Sequence, residues 1–270
     1  MEMRDMYIHS DSWKTPSDNT TVMRYFTGEK FEDLLCRRQL FFWCIVNYRH
    51  TSCNCDLLEG VTPEFRLFNN SAFYYDLIQG KRKISLEDSP HLKKHANEFL
   101  MRMVGVNCWT INNKEDKYMW NNFSDKSTGV IVKSNVGRLK KAFENISTPV
   151  YMGKVRYIKH RSYSSCGPNP VEIAFLKDLS YEREKELRLM IVDTDTEKFK
   201  INTIEDFLNI DIESLELLRS KFVDCNLDYL IDEIIISPWA DDEYLEIIKK
   251  KLTNSNLHKS VRKSFYAERL

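Results

Sequence analysis

Hydrophobic positions along the chain fall into short blocks that alternate between strand-like and helix-like spacing. Val22 to Phe26 is an apolar-rich run of strand length. Thr27 follows as a hydroxyl N-cap, with Phe31, Leu34 and Leu35 on one face behind it, which predicts a helix. Leu40 to Val46 is the longest purely apolar run and predicts a buried strand. Asn47 to Pro63 reads as irregular, and Phe65 to Ile78 as aromatic and ambiguous. Ser89-Pro90 marks a helix start, followed at helical spacing by Leu92, Ala96, Phe99, Leu100 and Met103.

Further along, Val104 to Thr110 predicts a strand, Asp116 to Phe123 a short helix, Gly129 to Ser134 a strand and Val136 to Phe143 a helix. Val150 to Ile158 alternates as a strand, and Arg161 to Pro170 carries loop residues. Glu184 to Val192 sets charges against Leu187, Leu189 and Ile191, the pattern of a half-buried strand. Residues 195–226 are acidic and amphipathic and read as two short helices. Leu230 to Ser237 is a strand closed by Pro238. Asp241 to Leu252 is a helix with acids in its first turn and lysines in its last, as the helix dipole favours.

These elements interleave without a strict βαβ rhythm. The expected class is α+β: a mixed, mainly antiparallel sheet with flanking helices. Residues 1–21 read as a polar N-terminal arm and 22–270 as a single α+β domain, with 195–226 as an acidic helical insertion.

Composition narrows the function classes. The chain has 270 residues, 42% hydrophobic and 30% charged, which supports a packed core. Lys+Arg and Asp+Glu both number 40, so no global field attracts phosphate backbones, and general nucleic-acid binding is not expected. Seven Cys in no regular framework fit a reducing compartment, the cytoplasm. Residues 1–12 lack the apolar core of a secretory signal, and no run approaches the roughly 20 apolar residues of a membrane span.

Several constellations carry possible chemistry, each with a plainer alternative. Arg24 beside Tyr25 suits an anion grip with a stacking ring, or a surface ion pair with a core tyrosine. Asp56 and Glu59, before Gly60, read as a loop ending in a tight turn. Trp109 and Trp120 suit an aromatic wall or core anchors. The sharpest is Glu184, Glu186 and Arg188. On a strand the three share one face, where two carboxylates and a guanidinium could polarise a sugar hydroxyl or stabilise a developing cation; a solvated edge laced with ion pairs is the alternative. His50, Cys53 and Cys55, with His91 and His95, lack a paired-cysteine knuckle, and no metal site is expected. No P-loop, dinucleotide fingerprint, nucleophile elbow or kinase signature is present.

Together these pieces resemble the bacterial family called domain of unknown function 2971. Its Trp-Arg-Tyr strand corresponds to Met23-Arg24-Tyr25, followed by Lys30-Phe31, Leu34-Leu35 and Leu40-Phe41-Phe42. Its Asp-Pro-Phe-Glu-Gly motif corresponds to Asp56-Leu57-Leu58-Glu59-Gly60, which lacks the Pro and Phe. Cys108-Trp109, Met119-Trp120, Gly129-Val130-Ile131, the 153–158 strand and the Ile234 to Pro238 close also match, as do Glu184, Glu186 and Arg188 for a Glu-x-Glu-x-Arg signature. The likeness covers roughly residues 22–266, with 195–226 divergent.

More distantly, the order resembles the ADP-ribosyltransferase layout, which implies an NAD-consuming effector of toxin or phage-defence type. By that resemblance Glu186 is catalytic and Glu184 second to it. Arg24 would hold the NAD ribose or phosphates, Tyr25 or Trp120 would stack, and Cys108, Trp109 and Thr110 would line the site with Arg188. ADP-ribose would pass to a macromolecular acceptor or to water. The competing expectations are a nucleotide-sensing or protein-interaction module without turnover, and a metal-dependent nuclease using Asp56, Glu59, Glu184 and Glu186.

Overall fold

The computed structural model describes residues 14–49, 101–159, 170–192 and 220–269, together with a few isolated positions in 56–60, 95–99 and 206–212. The ambiguous 65–78 stretch, the Ser89-Pro90 helix start, the 161–169 loop, Cys53 and Cys55 with their histidines His50 and His91, and most of 195–219 lie outside the described residues.

The chain is α+β. Among the described residues, nine strands build one mainly antiparallel sheet and two short parallel strands form a separate pair. The first strand, β1 (Thr21–Phe26), leads into helix α1 (Gly28–Arg37), which the Thr27 side chain caps by accepting from the Lys30 amide. Strand β2 (Gln39–Cys44) follows; the apolar run then tightens into a 3-10 turn, Ile45–Arg49, rather than continuing as strand to Val46. Strand β3 (Val104–Ile111), helix α2 (Lys117–Phe123), strand β4 (Val130–Asn135) and helix α3 (Val136–Ala142) fall where the periodicity puts them. The 150–158 run is broken at Val155 into β5 (Tyr151–Lys154) and β6 (Arg156–Ile158). Next come β7 (Leu176–Asp178) and β8 (Glu186–Val192), separated by a 3-10 turn. The end of the acidic 195–226 segment is not helical: Ser220–Asp224 forms β9, paired with β2. Helix α4 (Leu227–Leu230), strand β10 (Glu233–Ile236), helix α5 (Asp242–Asn254) and strand β11 (Ser260–Lys263) complete the order.

Strand β3 organises the sheet. One of its edges is taken by β8, from Val104 opposite Val192 to Thr110 opposite Glu186. The other edge is shared: β2 pairs at Gly105 and Val106, β1 at Thr110 and Ile111. Either register, continued, would reach Cys108, so the two strands must diverge there. Side chains close the fork this leaves. Arg24 Nη1 donates to the Cys108 carbonyl at 2.6 Å, and Asn107 Nδ2 donates to the Phe41 carbonyl at 2.8 Å. Backbone carbonyls orphaned inside a sheet are costly, and these two bonds satisfy them.

One sheet face carries the main core. Leu187, Leu189 and Ile191 meet Phe31, Leu34 and Leu35 of α1, Leu139 of α3 and Ile248 of α5. The opposite face holds two smaller clusters, one around Val104, Val106, Met190 and Phe175, the other around Met23, Tyr25 and Trp120. Residues 14–20 run against the domain: Thr15 Oγ1 donates to Met152 O, and Gly137 N to Asp18 O. Among the described residues no helix is long and apolar enough to cross a membrane.

Candidate functional site

The polar face of β8 is not solvated. Glu186 and Arg188 are both buried, so the strand is covered on two sides rather than one. Glu184 lies outside the strand. It ends the 3-10 turn Leu179–Glu184, which Asp178 caps and Lys185 closes in the left-handed conformation, φ 48°. The end of β3 fixes that turn: Thr110 Oγ1 donates to the Glu184 carbonyl at 2.7 Å, and Ile111 N to the Lys185 carbonyl at 2.8 Å. The turn restores by folding the proximity that an unbroken strand would have given Glu184 and Glu186.

Lys177, on β7, sits between them. Its Nζ is 2.6 Å from Glu184 Oε2 and 2.5 Å from Glu186 Oε1, and 3.9 Å from Glu59 Oε2. Arg188 completes the cluster, with Nε 2.8 Å from Glu186 Oε2, Nη1 2.6 Å from Glu59 Oε1, and Nη1 donating to the Ala174 carbonyl. Glu59 arrives on a turn held at three points. The Asp56 carboxylate accepts from Asp178 N at 2.8 Å, Arg49 Nε donates to the Glu59 carbonyl, and Gly60 takes φ 64°, where a side chain would be strained.

Three carboxylates thus face two cations. Burial, reinforced by the Glu186 charge, pushes Glu184 up to about 8. Burial acts upward on Glu186 too, but Arg188 and Lys177 outweigh it and hold that carboxyl well below its ordinary range. Burial acts downward on Lys177; the Glu186 and Glu59 charges outweigh it and keep the ammonium charged. At neutral pH Glu184 therefore holds a proton beside an ionised Glu186, and burial raises Glu59 as well, against the pull of Arg188 and Lys177. Opposed protonation of neighbouring carboxyls is a recurring property of acid–base sites, although structural ion-pair networks also produce it.

An open cavity of 520 Å³ reaches this cluster at Glu186. Tyr157 and Ile111 line its wall, and Lys154, Arg183 and Lys185 bring cationic side chains to it. The Tyr157 hydroxyl oxygen accepts from the Glu186 amide at 2.8 Å, tying wall to floor.

The structure gathers Glu184, Glu186, Arg188 and Thr110, with Cys108 directly opposite Arg188 in the β3–β8 ladder. It does not bring the other sequence candidates to this cavity. Arg24 is in the fork on the far edge of β3 from β8. Trp109 faces the main core and donates to Asn107 Oδ1. Tyr25 and Trp120 pack edge to face at 5.2 Å in a separate cluster, where Tyr25 accepts from Asp116 N and Trp120 donates to Glu115. Sequence reasoning missed Lys177 and Tyr157; neither stands in a motif. Among the described residues no group of His, Cys, Asp and Glu is arranged to hold a metal ion. A scan against protein-family models finds no match to the chain, and a search of curated proteins finds none.

Proposed function

We propose that the chain is an NAD-consuming enzyme of the ADP-ribosyltransferase-like kind, acting at Glu186. The observation that carries this reading is the pairing of a protonated Glu184 with an ionised Glu186, a residue that lines an open cavity together with Lys154, Glu182, Arg183 and Lys185. The cations suit the pyrophosphate of a dinucleotide and Tyr157 suits a ring. In such a site the Glu186 carboxylate faces the positive charge that develops on the ribose as the bond from C1′ to nicotinamide breaks. Nicotinamide leaves with the bonding electrons. Water, or a hydroxyl of a macromolecular acceptor, adds to C1′ and releases its proton to solvent. The 56–60 turn and the 184–188 segment, far apart in sequence, meet at Lys177 and Arg188. A toxin or phage-defence setting goes with this activity.

One observation favours binding without turnover. Both oxygens of Glu186 are already engaged, one by Lys177 and one by Arg188, which leaves less charge to offer a substrate cation. A nucleotide-sensing module is the corresponding second reading. The nuclease reading is weaker, because the Lys177 ammonium occupies the place between Glu59, Glu184 and Glu186 that a divalent ion would take.

Incubation with NAD, followed by chromatography of released nicotinamide, separates these readings. Release by the wild type that disappears in Glu186→Gln supports the enzyme. Thermal stabilisation by NAD without product supports the sensor. Neither release nor stabilisation overturns both.

A further inference from the structure

Among the described residues, no carboxylate pairs with the Arg24 guanidinium at the sheet fork. Its contacts are a hydrogen bond to the neutral Cys108 carbonyl and the Phe26 ring, 5.1 Å from the guanidinium carbon. Its Nε is buried and has no hydrogen-bond partner. Among the described residues, the Tyr48 hydroxyl and the Cys108 thiol act on it. Burial raises both, Cys108 to about 12, so both are neutral at physiological pH.

Closing the fork does not explain the charge. Asn107 satisfies the neighbouring orphan carbonyl, that of Phe41, with a neutral amide. A neutral side chain would serve Cys108 equally well and would avoid the cost of desolvating a charge. A guanidinium with one Nη1 bond made and its Nε unused retains the side that meets an oxyanion through two parallel N–H bonds.

We infer that the fork between β1 and β2 is an oxyanion-binding site centred on Arg24, taking a phosphate or carboxylate group of a small ligand. It is a second site: strand β3 separates it from β8, and Arg24 is not among the residues lining the Glu186 cavity. Arg24 is half-buried as a residue, with its Nε covered.

The test is thermal unfolding of the full chain in inorganic phosphate, in acetate and in chloride at matched ionic strength. The expected result is a melting temperature a few degrees higher in phosphate or acetate than in chloride, the larger increment naming the ligand class. The increment should vanish in Arg24→Gln and persist in Lys154→Gln, which alters the cavity. No increment with either anion, or one that survives Arg24→Gln, overturns the proposal. If Arg24→Gln does not fold, phenylglyoxal modification of the wild type with peptide mapping replaces it. The effective anion must then protect Arg24, and modification at an unchanged rate overturns the site.

Discussion

Glu184 and Glu186 share one ammonium, that of Lys177, which lowers both; burial and the Glu186 charge nonetheless raise Glu184, while Arg188 helps Lys177 hold Glu186 down. Two carboxylates this close to a single cation cannot both remain charged cheaply, and Arg188 decides which one does. Arg188 touches Glu186 and not Glu184, so the proton resides on Glu184.

A pH dependence of stability follows. Glu184 rises in the folded state from an ordinary 4.5 to about 8, so its contribution is full below about 4.5 and is lost as pH climbs through about 8. Glu186 is depressed, so its contribution is present above about 4.5 and is lost as pH falls through its lowered folded value. Stability attributable to this pair is greatest near pH 4.5 and declines from there towards about 8. Replacing Glu184 by Gln imitates the protonated acid. Urea unfolding of Glu184→Gln between pH 6 and pH 9 should therefore show a flatter decline than the wild type; an unchanged slope would place the proton elsewhere.

Lys177→Met tests the centre of the cluster. The variant keeps the aliphatic bulk but leaves Glu59, Glu184 and Glu186 with Arg188 as their remaining cation. Breaking a buried pair by removing one partner costs about 3–5 kcal/mol. Chemical denaturation should show a loss of that order, partly recovered in Lys177→Met/Glu184→Gln. A loss below about 1 kcal/mol would mean that water already screens the group.

The Arg188–Glu59 contact predicts strong coupling between elements far apart in sequence. Each side chain is about 2% exposed. Arg188→Met strands Glu59, and Glu59→Gln leaves Arg188 short of a charge, so either change alone destabilises. The double variant should be less damaging than the sum of the two by roughly 1–3 kcal/mol. Additive effects would show that loop 56–60 and β8 are not held together by this pair.

How far the sequence revealed the site depended on the range of each interaction. Helices α1 and α5 were legible because Thr27 and Asp241 cap them and their apolar residues repeat locally. The shared face of Glu186 and Arg188 was legible because strand alternation is also local. Its burial was not, since the cover comes from Ala174, Lys177 and Glu59 on other segments. Glu184 was assigned to the strand because charge alternation runs through it; the left-handed Lys185 interrupts the strand without any glycine to announce it. Arg24, Tyr25, Trp109 and Trp120 looked chemical because such residues can bind ligands as readily as they pack. Their surroundings are fixed by the forked sheet, which depends on the competition of β1 and β2 for one edge.

A single carboxylate outside the site, that of Glu115, gathers several donors at the C-terminal edge of the sheet. Glu115 is buried and accepts from Trp120 Nε1 at 3.2 Å, Arg262 Nη1 at 2.9 Å, the Phe265 amide and the Ser264 hydroxyl. It thereby fastens β11 and the turn after it to the loop leading into α2. Truncation in Glu115→Ala leaves the Trp120 and Ser264 donors unsatisfied, with a loss of about 1–3 kcal/mol from each such group. Arg262→Ala should cost less, because that side chain is 42% exposed and Glu115 keeps its other donors. Hydrogen exchange should localise the effect. Strand β11 joins the sheet through its parallel pairing with β10, so its amides should lose protection in Glu115→Ala while those of α1 keep theirs. Equal loss in both elements would make Glu115 a support of the whole domain rather than of its C-terminal edge.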